Sequence, residues 1–254
     1  MIVPVVVFAA AVLAWEAVVR VSEIPHYIIP APSLVLRTLA NEWPSLAPSL
    51  WFTLKLTFAA LGAAVLGGVL LAVVLSLSRW VEYAFFPFAV VLQVTPIVAI
   101  APLIFIYVDS TFAGLLICAW IVAFFPILSN TIIGLRSADY NLRDLFRLYE
   151  ASPWQRMRLL LLPSSLPYFL GGVKIAGGLA LIGAVVAEFV AGTTGKDTGL
   201  ASRVLEASFR TEIPRMFAAL ALISLCGILI FLAFNALSRW LLGRWHESEL
   251  KGER

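Results

Sequence analysis

The segment from about Leu54 to Leu77 is predominantly apolar, and runs of eighteen or more such residues recur along the chain. Each is long enough to cross a bilayer as one helix. Lipid offers the backbone no hydrogen-bonding partner, so a spanning segment must be a helix or part of a closed barrel. The runs are continuous, not ten-residue pieces alternating with period two, and that selects helices. The composition agrees: 61% of the 254 residues are hydrophobic and 13% are charged, against a charged share of about 25% in soluble domains. The sequence therefore predicts an all-α integral membrane protein, organised as a single transmembrane domain over 1–254.

Six spans can be read: Ile2–Arg20, Leu54–Leu77, Ala84–Val108, Phe112–Leu135, Leu166–Gly192 and Met216–Leu242. The first has no basic leader and is longer than the apolar core of a signal peptide, so it is expected to be retained. Proline-rich sequence follows it. There Ser33–Trp43 reads equally as a short amphipathic helix on the membrane surface or as a connecting loop. The third span is the least regular, interrupted by Gln93, Thr95, Pro96 and Pro102. Ten Lys and Arg fall on the side of Arg79, the segment after the fourth span and the tail, and seven on the other. That bias places both termini in the cytoplasm.

A polar island, about 136–165, separates the fourth and fifth spans and holds Arg136, Arg143, Arg147, Arg156 and Arg158. Two helix starts can be read in it. Asn141 is a candidate cap with Asp144 at the third position. Ser152, Pro153 and Gln155 form a capping-box pattern. Two short helices joined by a bend at Glu150–Ser152 make a docking surface rather than a linker.

The island resembles the cytosolic loop of permease subunits of ATP-binding-cassette importers, whose pattern is E-A-A-x3-G-x9-I-x-L-P. Asp144, Leu145 and Phe146 occupy the first three places, Glu150 stands where that family has glycine, and Leu160, Leu162 and Pro163 close the frame. The strings Gln93–Leu103, Leu162–Pro167 and Gly183–Phe189 are similar to the nitrate/sulfonate/taurine type. Within that type, Leu179–Gly192 and Ile213–Leu220 resemble permeases for thiamine pyrimidine precursors or riboflavin-like heterocycles. The resemblance implies a type I importer permease fold in a bacterial inner membrane and inward transport of a small solute by alternating access. It implies ATP and Mg on separate cytosolic ATPase subunits, an extracytoplasmic binding protein and a permease homodimer in lipid. It also implies that Asp144, Leu145, Phe146, Arg147, Glu150, Ala151, Ser152, Leu160 and Pro163 contact the ATPase.

Inside the spans, Gly172, Ala176, Ala180, Ala184, Glu188 and Gly192 recur every four residues, a ridge expected to face another helix or the pathway. Glu188 reads either as a pathway residue or as a carboxylate bonded to a neighbouring helix. Gln93, Thr95 and Pro96 are candidates for lining the pathway, with a packing kink as the alternative. Lys174 is expected to snorkel toward the cytoplasmic face, and Glu16 to be interfacial. Cys118 and Cys226 lie in apolar runs as buried hydrophobes. His26 and His246 are too far apart in the topology for a metal cluster or a nucleophile–base pair. No phosphate-binding G-x-x-x-x-G-K-[ST] string occurs; the nearest, from Gly192 to Asp197, lacks the spacing. No basic, aromatic-interleaved stretch suggests nucleic acid. A catalytic role has no residues to support it, and the chain itself calls for no cofactor. A single-component secondary carrier would need paired intramembrane charges or inverted repeats, and a scaffold protein would use the ridge for packing alone.

Overall fold

The computed structural model describes residues 2–192 and 198–243. Lys196 and the rest of 193–197, and the tail bearing Arg244, His246, Lys251 and Arg254, lie outside the described residues. In order the helices are α1 (Ile2–Val21), α2 (Pro32–Asn41), α3 (Trp43–Leu77), α4 (Arg79–Val94), α5 (Ile97–Tyr107), α6 (Thr111–Arg136), α7 (Tyr140–Leu148) and α8 (Pro153–Arg156). A π-helical turn (Met157–Leu161) leads into α9 (Leu162–Ala191), followed by α10 (Leu200–Phe209) and α11 (Ile213–Leu242).

Five of these helical stretches are long and apolar enough to cross a membrane, and the count becomes six when α4 and α5 are taken as one broken span. The expected third span is thus not a straight rod: α4 and α5 meet at 100°. Proline disfavours a helical conformation in the residue before it. Thr95 accordingly is extended (φ −71°, ψ 123°), and its hydroxyl donates to the Val91 carbonyl at 2.6 Å. Pro102, by contrast, sits inside α5 without ending it. The second span begins eleven residues before Leu54, at Trp43, and continues through Pro48. The stretch before it is helical as α2 rather than a loop, with Val35 buried and Leu39 packed against the same apolar cluster.

The chain forms two compact units. The first comprises Met1–Lys55 and Glu188–Cys226. Its apolar centre gathers Val35, Leu46, Leu200, Val204, Ala218, Ala219 and Leu222. Glu16 of α1 supplies the cap that α2 lacks: Ala31 at its N-cap has no suitable side chain, and Glu16 accepts from the Ser33 N–H at 2.9 Å and the Ser33 hydroxyl at 2.7 Å. Arg215 pairs with Glu212 and lies 3.6 Å from Glu42, while Arg203 and Arg210 flank Glu206.

The second unit comprises Leu56–Ala187 and Gly227–Arg254. Its centre contains Ala64, Ala72, Leu75, Ile127, Leu128, Leu135, Ala176 and Ala180. The part of the small-residue ridge in this unit packs against α6: a Cβ on Gly172 would come within 2.9 Å of the Pro126 carbonyl and of Asn130. Small side chains let the backbones of α6 and α9 approach where lipid provides no hydrophobic drive between helices.

Candidate functional site

The island is built by caps. Asp139, not Asn141, starts α7, accepting from the backbone N–H of Asn141 at 2.7 Å and of Leu142 at 3.4 Å. Both residues are good caps in isolation. The extended backbone of Asp139 decides between them, and Asn141 falls inside the first turn as a donor. Arg143 reaches back from α7 and donates to the Arg136 carbonyl at 2.7 Å and the Leu135 carbonyl at 3.4 Å. A cation on the last carbonyls of α6 is favourable both as a hydrogen bond and against the helix dipole. The same end of α6 is tied to α4 by the Arg136–Glu82 ion pair.

At the far end of α7 the backbone turns left-handed at Glu150 (φ 45°). Glu150 N–H donates to the Arg147 carbonyl at 2.9 Å and Ala151 N–H to the Phe146 carbonyl at 3.0 Å. This paired bonding is the Schellman ending that glycine usually serves. A glutamate therefore performs the turn for which the importer loop pattern has glycine. Ser152 then starts α8 with a complete capping box: Gln155 N–H donates to Ser152 Oγ at 3.2 Å, and Ser152 N–H to Gln155 Oε1 at 2.7 Å. The π-helical turn follows, with Leu162 N–H on the Met157 carbonyl. Pro163 has no N–H to offer the Leu159 carbonyl, and the widened turn sits directly before it.

These bends bring Leu145, Phe146, Tyr149, Ala151, Gln155 and Leu159 around one shallow groove. Tyr149 is 79% exposed, Trp154 68% and Leu159 61%. Large apolar and aromatic side chains are thus exposed together on the island. Of the nine coupling candidates, Leu145, Phe146 and Ala151 line the groove. Asp144 and Arg147 form an ion pair (3.4 Å) on α7, Glu150 and Ser152 make the bend, Pro163 is exposed, and Leu160 is buried. Tyr149 and Leu159 were not singled out from sequence, although each stands four residues from another groove residue, Tyr149 from Leu145 and Leu159 from Gln155.

The pathway candidates divide. Gln93 (exposed), Thr95 (half-buried) and Pro96 (exposed) stand together at the α4–α5 elbow of the second unit. Glu188 belongs to the first unit and is 1% exposed. It accepts from Thr53 Oγ1 at 2.8 Å and from Ala201 N–H at 2.9 Å, and Thr53 Oγ1 in turn accepts from Leu200 N–H at 2.9 Å. Leu200 and Ala201 open α10, whose N-cap, Gly199, has no side chain. Glu188 is therefore the cap of α10, delivered from α9, and a Cβ on Gly199 would overlap its carboxylate. Negative charge at a helix N-terminus is stabilising. It is the second tertiary cap in this unit, after Glu16 on α2.

Residues 64–246 match the family model described as "Binding-protein-dependent transport system inner membrane component". The chain is 35% identical over 242 residues to the riboflavin transport system permease protein RibX of Chloroflexus aurantiacus, covering 92% of this chain and 86% of that one. It is 33% identical to the formylaminopyrimidine transport permease protein ThiX of Halalkalibacterium halodurans, covering 94% of each. It is 25% identical to the putative aliphatic sulfonates transport permease protein SsuC of Bacillus subtilis, covering 94% of this chain and 86% of that one. In fold it superposes on a chain of the inward-facing MetNI methionine ABC transporter with TM-score 0.66 at 18% identity, covering 77% of this chain and 95% of that one. The chain belongs to the family of binding-protein-dependent inner-membrane transport components: it is a multi-pass permease subunit of an ATP-driven ABC importer for a small solute, not itself an enzyme, and its family works with a separate ATPase and a binding protein.

Proposed function

We propose that the island, about 136–165, receives the partner ATPase, and that the permease moves a small heteroaromatic solute inward by alternating access. The observation that carries the docking reading is the groove between α7 and α8. Its helices are capped at Asp139 and Ser152, its lining is mainly apolar with Gln155 the polar member, and α7 also carries the Asp144–Arg147 pair. A partner side chain seated there would bury Leu145, Tyr149 and Leu159 at about 25 cal/mol per Å² of apolar surface removed from water. ATP and Mg would be bound by that partner, whose closure would be felt at α9 through the π-helical turn and at α6 through Arg143.

In this reading two permease chains pair, both termini are cytoplasmic, and Gln93, Thr95 and Pro96 line the pathway at the elbow. Proline there leaves a backbone group unpaired by the helix, which is tolerated beside a polar cavity. The heteroaromatic solute is favoured by the riboflavin and formylaminopyrimidine permeases, at 35% and 33% identity, over the sulfonate and taurine permeases at 25% and 26%.

The test is uptake by proteoliposomes holding the permease with its ATPase and binding protein. Riboflavin or formylaminopyrimidine should accumulate in an ATP-dependent way, while taurine should not. Accumulation of taurine alone would overturn the solute assignment and leave the docking surface standing.

A further inference from the structure

Lys174 lies in the body of a membrane span, twelve residues beyond the start of α9, roughly 18 Å along the axis at 1.5 Å per residue. It does not extend freely toward an interface. Its ammonium donates to Asn235 Oδ1 of α11 at 2.8 Å and lies 4.8 Å from the centre of the Phe231 ring. Both partners are neutral, and no carboxylate among the described residues pairs with it. A charged side chain within a span is costly and ordinarily meets an opposite charge, backbone carbonyls or water. Here no opposite charge meets it among the described residues.

The surroundings leave room for one. Gly171 and Gly178, three residues before and four after Lys174, are its neighbours on the helix surface. A Cβ built on either would meet nothing within 4 Å. This contrasts with Gly177, where a Cβ would strike the Phe234 ring. The cation thus sits beside an open notch with a packed wall on its α11 side. An ammonium has three donors and one is used by Asn235, whose own amide contributes two more. The cluster offers hydrogen-bond donors in excess and has an apolar ring beside it.

We infer that Lys174 and Asn235 form an oxyanion subsite within the membrane, open along the Gly171–Gly178 face of α9. Its occupant carries a negatively charged oxygen acceptor, either the phosphate of an anionic lipid or an acidic group on the solute. The subsite rests on neither the docking surface nor the solute assignment.

The occupant can be read from the reactivity of the lysine itself in the intact permease–ATPase complex. The complex is placed in phosphatidylcholine nanodiscs and pulsed with acetic anhydride, and acetylation of Lys174 is quantified by mass spectrometry against the exposed Lys55. One arm adds phosphatidylglycerol to the bilayer; the other adds methanesulfonate to the buffer. An ion-paired ammonium should be acetylated about tenfold less, the effect of one charge-assisted hydrogen bond. Protection by phosphatidylglycerol alone identifies a lipid site, and protection by methanesulfonate alone a solute site. Under native mass spectrometry, Lys174→Arg should keep the protecting lipid and Lys174→Met should lose it. Unchanged Lys174 acetylation in both arms would overturn the subsite.

Discussion

The cap on α10 gives the sharpest stability prediction, because two residues far apart in sequence compete for one volume. Glu188→Ala leaves the buried Ala201 N–H without its acceptor, at about 1–3 kcal/mol. It also removes the charge from the helix N-terminus, about 0.3–1 kcal/mol more. The expected total is about 1–4 kcal/mol, or a drop of about 3–16 °C in Tm for a chain of this length. Gly199→Ala should do comparable damage by the opposite route, since its Cβ overlaps the carboxylate and forces it from its donors. In the double variant the carboxylate is gone and the Cβ has space, so the two losses should not add. Its Tm should lie near that of Glu188→Ala alone, a coupling of about 1–3 kcal/mol. Thermal unfolding of the four proteins in one detergent, followed as loss of the monodisperse peak, measures this directly. Strict additivity, or a Gly199→Ala protein as stable as the parent, would refute the cap.

Three further outcomes follow from the caps and turns. Glu150→Gly removes a left-handed glutamate and should stabilise the island by about 0.5–1 kcal/mol, read as slower amide exchange over Phe146–Ser152; faster exchange would mean that the carboxylate makes a contact of its own. Arg143→Met should loosen α7 from the end of α6 by about 1.5–3 kcal/mol of lost charged hydrogen bonding, seen as faster exchange at 136–143, and unchanged protection would remove Arg143 from the link. In the first unit, the hydrogen bond from Arg203 holds the Glu206 carboxyl below its usual range, helped by the nearby Arg210 and Arg215 charges. A depressed folded-state value means this stabilisation is complete above the unfolded carboxylate range and fades as pH falls through the lower value. Glu206→Gln should therefore flatten the acid limb of the melting profile below about pH 4.3; an unaltered limb would count against the pairing.

How much of this was legible depended on sequence distance. The Ser152 capping box was readable because its residues lie within four positions and their chemistry is local. The cap at α7 was misassigned to Asn141, since D-Y-N offers two competent residues and only the backbone at Asp139 selects one. Pro96 announced an irregularity, but the 100° angle depends on what packs around the elbow and has no local signature. The ridge Gly172–Ala176–Ala180–Ala184 was plain from its spacing, and its partner helix was not. Glu188 was visible as an intramembrane carboxylate, whereas its choice of Thr53, 135 residues away, was invisible. Lys174 was expected to snorkel toward the cytoplasmic face, and its contact with Asn235, 61 residues on, was invisible for the same reason. Tyr149 and Leu159 were passed over because the importer loop pattern drew attention to the residues it names, while half of the groove is made by residues outside that selection.

The docking role of the island is tested most directly by recovery of the ATPase on the purified permease. Leu145→Asp with Tyr149→Asp places two charges in the groove without touching the caps at Asp139 and Ser152, so the membrane-embedded chain should insert and melt as before. The ATPase recovered per permease should fall at least about tenfold, as expected when charges are buried without partners at an apolar contact. Recovery equal to that of the parent, with the double variant normally folded, would contradict the assignment of α7 and α8 as the surface through which ATP hydrolysis reaches this permease.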